Sequence, residues 1–161
     1  MNDPQKQRLY ALETVFWAAW NVHAAGMHTV MPQQEWEGYC DWLLVDGLHD
    51  PYVNQRRRSR TQPLRFVELA QTEHRLAFAQ LQSDVLGVQP DFRMKYIAMH
   101  EVSHLLTREL RQNSHGWRFV SVYAQMVGRH ISEAAARQFR GLAHAQSIRF
   151  TQSISDIRFV A

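Results

Sequence analysis

The chain has 161 residues, 45% hydrophobic and 20% charged, proportions that fit one ordinary globular domain with a core of adequate size. Its longest fully apolar run, Val15 to Trp20, falls far short of the roughly 20 residues that cross a bilayer, and no apolar segment follows the N-terminal charges. Neither a membrane span nor an export signal is therefore expected, and the cytoplasm is the expected location. A net charge of +3 permits weak attraction to nucleic acid without requiring it.

In chain order, Gln5 to about His23 places Leu9, Leu12, Val15, Phe16 and Ala19 at helical spacing. This predicts a helix with one buried face, ended by Gly26. A second helix is expected to start with Pro32 in its first turn, run through Trp36, Tyr39, Cys40, Leu43 and Leu44, and stop near Gly47. From Asp50 to Pro63 the chain is polar and reads as an exposed loop. Leu64 to Ala70 and Arg75 to Leu81, joined by Gln71-Thr72-Glu73-His74, suit a hairpin, and Asp84 to Val88 suits a third strand.

A long helix from about Asp91 to Leu110 is then expected, opened by Gln89-Pro90-Asp91. Gly116 to Gly128 carries a further helical pattern, with Phe119, Val120, Tyr123 and Val127 on one face. Ser132 is a plausible N-cap for a last helix starting at Glu133. Helices, then strands, then helices indicate an α+β fold, a single domain over 1–161 with a small, mostly antiparallel sheet.

Cys40 is the only cysteine, which excludes an intrachain disulfide and any zinc site built from several thiolates. A metal would have to be held by histidine and carboxylate, and the chain carries nine histidines. Within the long predicted helix lies His100-Glu101-Val102-Ser103-His104, the H-E-x-x-H pattern. At roughly 100° per residue, positions four apart fall about 40° from each other, so both imidazoles can reach one ion from a single face. Glu101 projects beside them, where it can take a proton from metal-bound water that attacks a carbonyl. Met94, Ala98, Val102, Leu105 and Leu106 form an apolar arc that should pack, leaving the histidine side open for metal.

Such a pentapeptide would arise somewhere in a chain of this composition with a probability of about 0.02, so more than the motif is needed. His115, eleven residues after His104 and followed by Gly116, supplies it. Three protein ligands leave a fourth zinc position for water and substrate. A short turn can bring the start of the next helix back to the same face, with Gly116 allowing close backbone approach.

His100-Glu101-x-x-His104 followed by His115-Gly116-x-x-Phe119 resembles the SprT-like metallopeptidases and, more closely, a family of small bacterial and phage zinc metallohydrolases. Arg8-Leu9-Tyr10-Ala11-Leu12-Glu13 resembles that smaller family's opening segment, and Val85 to Val88 running into the motif helix resembles its central part. The resemblance covers about two thirds of the chain, with the histidine motif as its specific part. It implies a zincin-type fold with a catalytic core at about 64–130, a strand edge where extended peptide binds, and zinc-dependent hydrolysis of an amide bond. It departs from SprT-like proteins that end in a zinc ribbon, which a single cysteine forbids.

The oxyanion of such a reaction needs a stabilising donor, for which Tyr123, Arg118 and His130 are candidates. Asp84, Glu109 and Glu133 are candidate partners for the imidazole N–H groups. Asn113 and Ser114 are candidate caps for a helix beginning at His115. Trp17/Trp20 and Trp36/Trp42 fit a core at helical spacing better than a binding surface. Two other functions compete with a peptidase. One is a non-catalytic binding or structural module, of a kind that phages or mobile elements carry, in which zinc locks two helices together. The other is a nucleic-acid-associated protein whose Arg56, Arg57, Arg58 and Arg60 contact phosphates.

Overall fold

The computed structural model describes residues 5–20, 26–48, 63–107 and 115–151. The described helices are α1 (Lys6–Trp20), α2 (Gln33–Leu48), α3 (Lys95–Thr107), α4 (Trp117–His130) and α5 (Glu133–Ala145). The strands are β1 (Arg65–Glu68), β2 (Ala77–Gln80) and β3 (Val85–Val88). This is the expected α+β class. The chain divides into two compact units, one formed by Met1–Ala25 with Thr107–Ala161 and the other by Gly26–Leu106. No helix among the described residues is long and apolar enough to cross a membrane.

The first unit is helical. On α1 the buried residues are Leu9, Leu12, Glu13, Phe16 and Trp17, whereas Val15 is 55% exposed. The buried face is thus rotated from the one the apolar residues alone suggest, and a carboxylate sits inside it. Phe16 meets Trp17 at 4.8 Å and Phe139 of α5 at 5.3 Å, and Tyr123 of α4 meets Phe139 at 5.3 Å. The Trp17 indole N–H donates to the Tyr123 hydroxyl at 3.1 Å, so the buried polar ends of both rings are satisfied by each other. The Ser132 side chain accepts from the Ala135 N–H at the start of α5, as its position before Glu133 predicts.

The second unit holds the sheet, in the order β1-β3-β2. β1 runs parallel to β3 with Arg65 opposite Val85, and β2 runs antiparallel to it with Ala77 opposite Val88. The expected hairpin between the first two strands is therefore not formed, and the sheet is mixed rather than mostly antiparallel. The physical reason is burial: all four residues of β3 are buried, while β1 and β2 are largely half-buried or exposed. The continuous apolar strand takes the centre and the other two flank it.

The hairpin is instead β2–β3, and Asp84 turns it with a left-handed φ of 51°, a conformation Asp tolerates better than most residues. Opposite Phe78, Gly87 is required for space, since a Cβ there would come within 2.2 Å of the Phe78 ring. The Gln89 side-chain amide donates to the Glu73 and Arg75 carbonyls, which holds the stretch leading into β2, and Arg93 pairs with Glu68 at the end of β1.

Pro32 immediately precedes α2, and its carbonyl accepts from the Trp36 N–H, consistent with proline at a helix start. Trp36 is buried and donates its indole N–H to the Met94 carbonyl. Trp42, expected in the core, is 53% exposed and lies beside Tyr39. The helix expected from Asp91 is broken in two. Pro90–Phe92 forms a short 3-10 turn and α3 begins at Lys95. Between them the Arg93 carbonyl accepts from the Met31 N–H, a long-range bond that spends a carbonyl a continuous helix would have used.

Candidate metal centre

α3 carries His100, Glu101 and His104. The helix is buried almost all round: Ala98, Met99, His100, Glu101, Val102, Ser103, Leu105 and Leu106 are all buried. On the histidine side Ile97, His104 and Thr107 are half-buried, so that side is less closely packed than the apolar arc, where Ala98, Val102, Leu105 and Leu106 are buried. His100 is 6% exposed and Glu101 8% exposed. Burying an imidazole and a carboxylate is costly unless each is held by a polar or charged group, so these are not idle surface side chains.

The His100 and His104 rings lie on successive turns with centroids 5.0 Å apart and planes inclined by 71°. The spacing of four residues thus does what the helix geometry predicts. Ser103, between them in sequence, turns its hydroxyl back to the Met99 carbonyl at 2.7 Å, which keeps that hydroxyl inside the helix and out of the histidine pair. Cys40 of α2 is fully buried. Burial pushes its thiol well above the usual range, and the charges of Asp41, Glu101 and Glu37 push it further. It is a protonated core residue rather than a nucleophile.

His115 belongs to the other unit, just ahead of α4. It is buried, with its ring set edge-on between two aromatic rings, Tyr10 at 5.3 Å and Phe119 at 5.1 Å. Its carbonyl accepts from the Gln5 side-chain N–H at 2.9 Å, and the side-chain oxygen Oε1 of Gln5 in turn accepts from the Arg149 backbone N–H at 2.6 Å. One buried glutamine therefore ties the start of α4 to the chain beyond α5. No spacing rule could have singled out Gln5, which lies 110 residues from its partner. Gly116 is the N-cap of α4.

Four of the other candidates have structural roles. The Tyr123 hydroxyl takes the Trp17 indole, Arg118 lies over the Trp117 ring at 5.3 Å, and Glu133 pairs with Arg140 at 2.9 Å. Asp84 turns the β2–β3 hairpin. Arg56, Arg57, Arg58, Arg60, Glu109, Asn113 and Ser114 lie outside the described residues. Compared with family models, curated proteins and solved structures, the chain matches none of them.

Proposed function

We propose that the protein is a zinc-dependent metallohydrolase of zincin type that cleaves peptide bonds, with His100, His104 and His115 as metal ligands and Glu101 as general base. The observation that carries this reading is the pair of imidazoles 5.0 Å apart on α3 with a buried carboxylate next to them. The donor set fits the metal: neutral nitrogen ligands suit zinc at about 2.0–2.1 Å, and rings on successive turns can converge on one ion. His115 is buried, with its ring fixed between two aromatics and its backbone held by Gln5. Eleven residues of chain reach up to about 36 Å when extended, so the connection leaves it free to join the pair.

Bound zinc supplies Lewis acidity and a fourth coordination position. The chain's residues do the rest. Glu101 accepts a proton from the attacking water and passes it to the leaving amine. Among the described strands, β1 is paired on one side only, and Val67 on it is 46% exposed. Its outer edge can pair with the main chain of an extended peptide.

The test is hydrolysis of an unfolded, fluorescently labelled protein by the zinc-loaded chain, after chelation, and after zinc is restored. Cleavage that stops with chelation and returns with zinc is expected. A rate that chelation leaves unchanged would remove the metal from the mechanism. A zinc-loaded chain that cleaves nothing would favour a metal-stabilised binding module.

A further inference from the structure

Two basic side chains that the metal reading does not use meet where the Gly26–Thr29 turn packs on the start of α3, within the unit that carries His100 and His104. The Thr29 N–H donates to the Gly26 carbonyl, and Gly26 enters the turn with a left-handed φ of 81°. The Lys95 ammonium nitrogen lies 3.8 Å from where a Cβ on Gly26 would stand, and 5.6 Å from the centre of the Tyr39 ring. His28, two residues along the same turn, sets its ring 4.8 Å from that of Tyr96.

Neither side chain is matched by an acid. Both are half-buried. Lys95 has no ion pair or hydrogen bond among the described residues, only the face of the Tyr39 ring. His28 makes no hydrogen bond there either, and its Nε2 is buried without a partner. The first turn of α3 contains no acidic residue, and the positive end of the helix adds to the same potential. A half-buried ammonium without a counter-charge and a buried ring nitrogen without a hydrogen bond are both costly. One ligand type relieves both, an anion that accepts two hydrogen bonds, as a carboxylate does.

The place of this pair relative to the metal face names the carboxylate. Tyr96, His100 and His104 follow one another four residues apart, so they line one side of α3. His28, packed on Tyr96, stands at the N-terminal end of that row. From Lys95 and Tyr96 to His100 the helix rises about 6–7.5 Å, a distance that about two residues of extended peptide cover.

We propose that Lys95 and His28 form a carboxylate subsite that takes the free C-terminus of a peptide substrate, so that the protein removes one or two residues from chain ends. The bond broken is a peptide C–N bond next to the C-terminus. The attacking water gives its hydroxyl to the new carboxyl group and its other proton, through Glu101, to the released amine. The inference deepens the metallohydrolase reading and rests on it for cleavage, but the carboxylate subsite stands on side chains of one unit.

The experiment uses the full chain and two N-acetylated tetrapeptides that differ only in ending in a free carboxylate or an amide. Binding is followed without metal by the NMR signals of the His28 ring and the Lys95 side chain, assigned through their loss in His28→Gln and Lys95→Met, with inorganic phosphate titrated alongside. Hydrolysis is then measured with zinc. The free acid is expected to shift both sets of signals and the amide neither, and kcat/KM should favour the acid by about 10–100-fold, mainly through KM. Lys95→Met and His28→Gln should narrow that ratio, whereas a merely structural role would lower both rates together and keep it. The comparison of acid with amide on wild type decides even if a variant fails to fold.

Signals that respond equally to acid and amide, or to phosphate at lower concentration than to the acid, would overturn the subsite. Binding of the acid with no cleavage of either peptide would remove the hydrolase reading and leave the subsite standing. Equal cleavage of both peptides would do the reverse.

Discussion

Replacing Glu101 with glutamine is expected to leave the metal in place while lowering peptide hydrolysis by about 10²–10⁴-fold, the range typical of removing a general acid or base. Glutamine matches the size of glutamate and can still accept a hydrogen bond, so α3 should keep its packing, but it cannot take a proton from water near neutral pH. The site on α3 makes this separation possible. His100 and His104 form the pair with centroids 5.0 Å apart, and Glu101 is buried next to them without being one of the three imidazoles assigned to the metal. Metal content and rate, measured on the same preparation, give the answer. A variant with full metal and an unchanged rate would take the proton-transfer role away from Glu101, and a variant without metal would make the residue a ligand instead.

The largest expected stability effect lies in the other unit. Phe139 of α5 is fully buried, with its ring edge-on to Phe16 of α1 and to Tyr123 of α4, each at 5.3 Å. It is where three helices share one aromatic cluster, and Phe139→Ala removes the ring that joins Phe16 to Tyr123, whose hydroxyl takes the Trp17 indole N–H. Substitutions of this kind cost about 3–5 kcal/mol, a large part of the roughly 5–15 kcal/mol that a domain has in total. Chemical denaturation should therefore show a much lower midpoint with the slope retained. A loss below about 1 kcal/mol would mean that the cluster is loosely packed and collapses around the gap.

What the sequence made legible follows from the range of the interactions involved. Local signals held: Pro32 marks the start of α2, Ser132 caps α5, and the four-residue spacing of His100 and His104 puts their rings together. Strand existence was readable from short apolar runs, but strand order was not. Nothing near Leu64 to Ala70 announces that it pairs with β3 rather than with β2; that is decided by which strand is buried on both faces. The start of α3 was likewise set by a distant donor, the Met31 N–H.

Glu13 shows how residue type can mislead. Apolar Val15 and Ala19 suggested one face for α1, yet Val15 is exposed and Glu13 is buried. The usable signal was geometric, since Glu13 falls between Leu9 and Trp17 on the helix and lies inside the arc they define. On α3 the apolar arc of Ala98, Val102, Leu105 and Leu106 is buried as its pattern predicts, and His100 and Glu101 are buried beside the half-buried His104.

The most direct test of the three-histidine metal centre is metal content by mass spectrometry on protein purified without a histidine tag, comparing wild type with His104→Ala and His115→Ala. One zinc per chain in the wild type, lost in both variants, is the predicted result. Wild type that takes up no metal even on reconstitution, or His115→Ala that keeps its zinc in full, would contradict it.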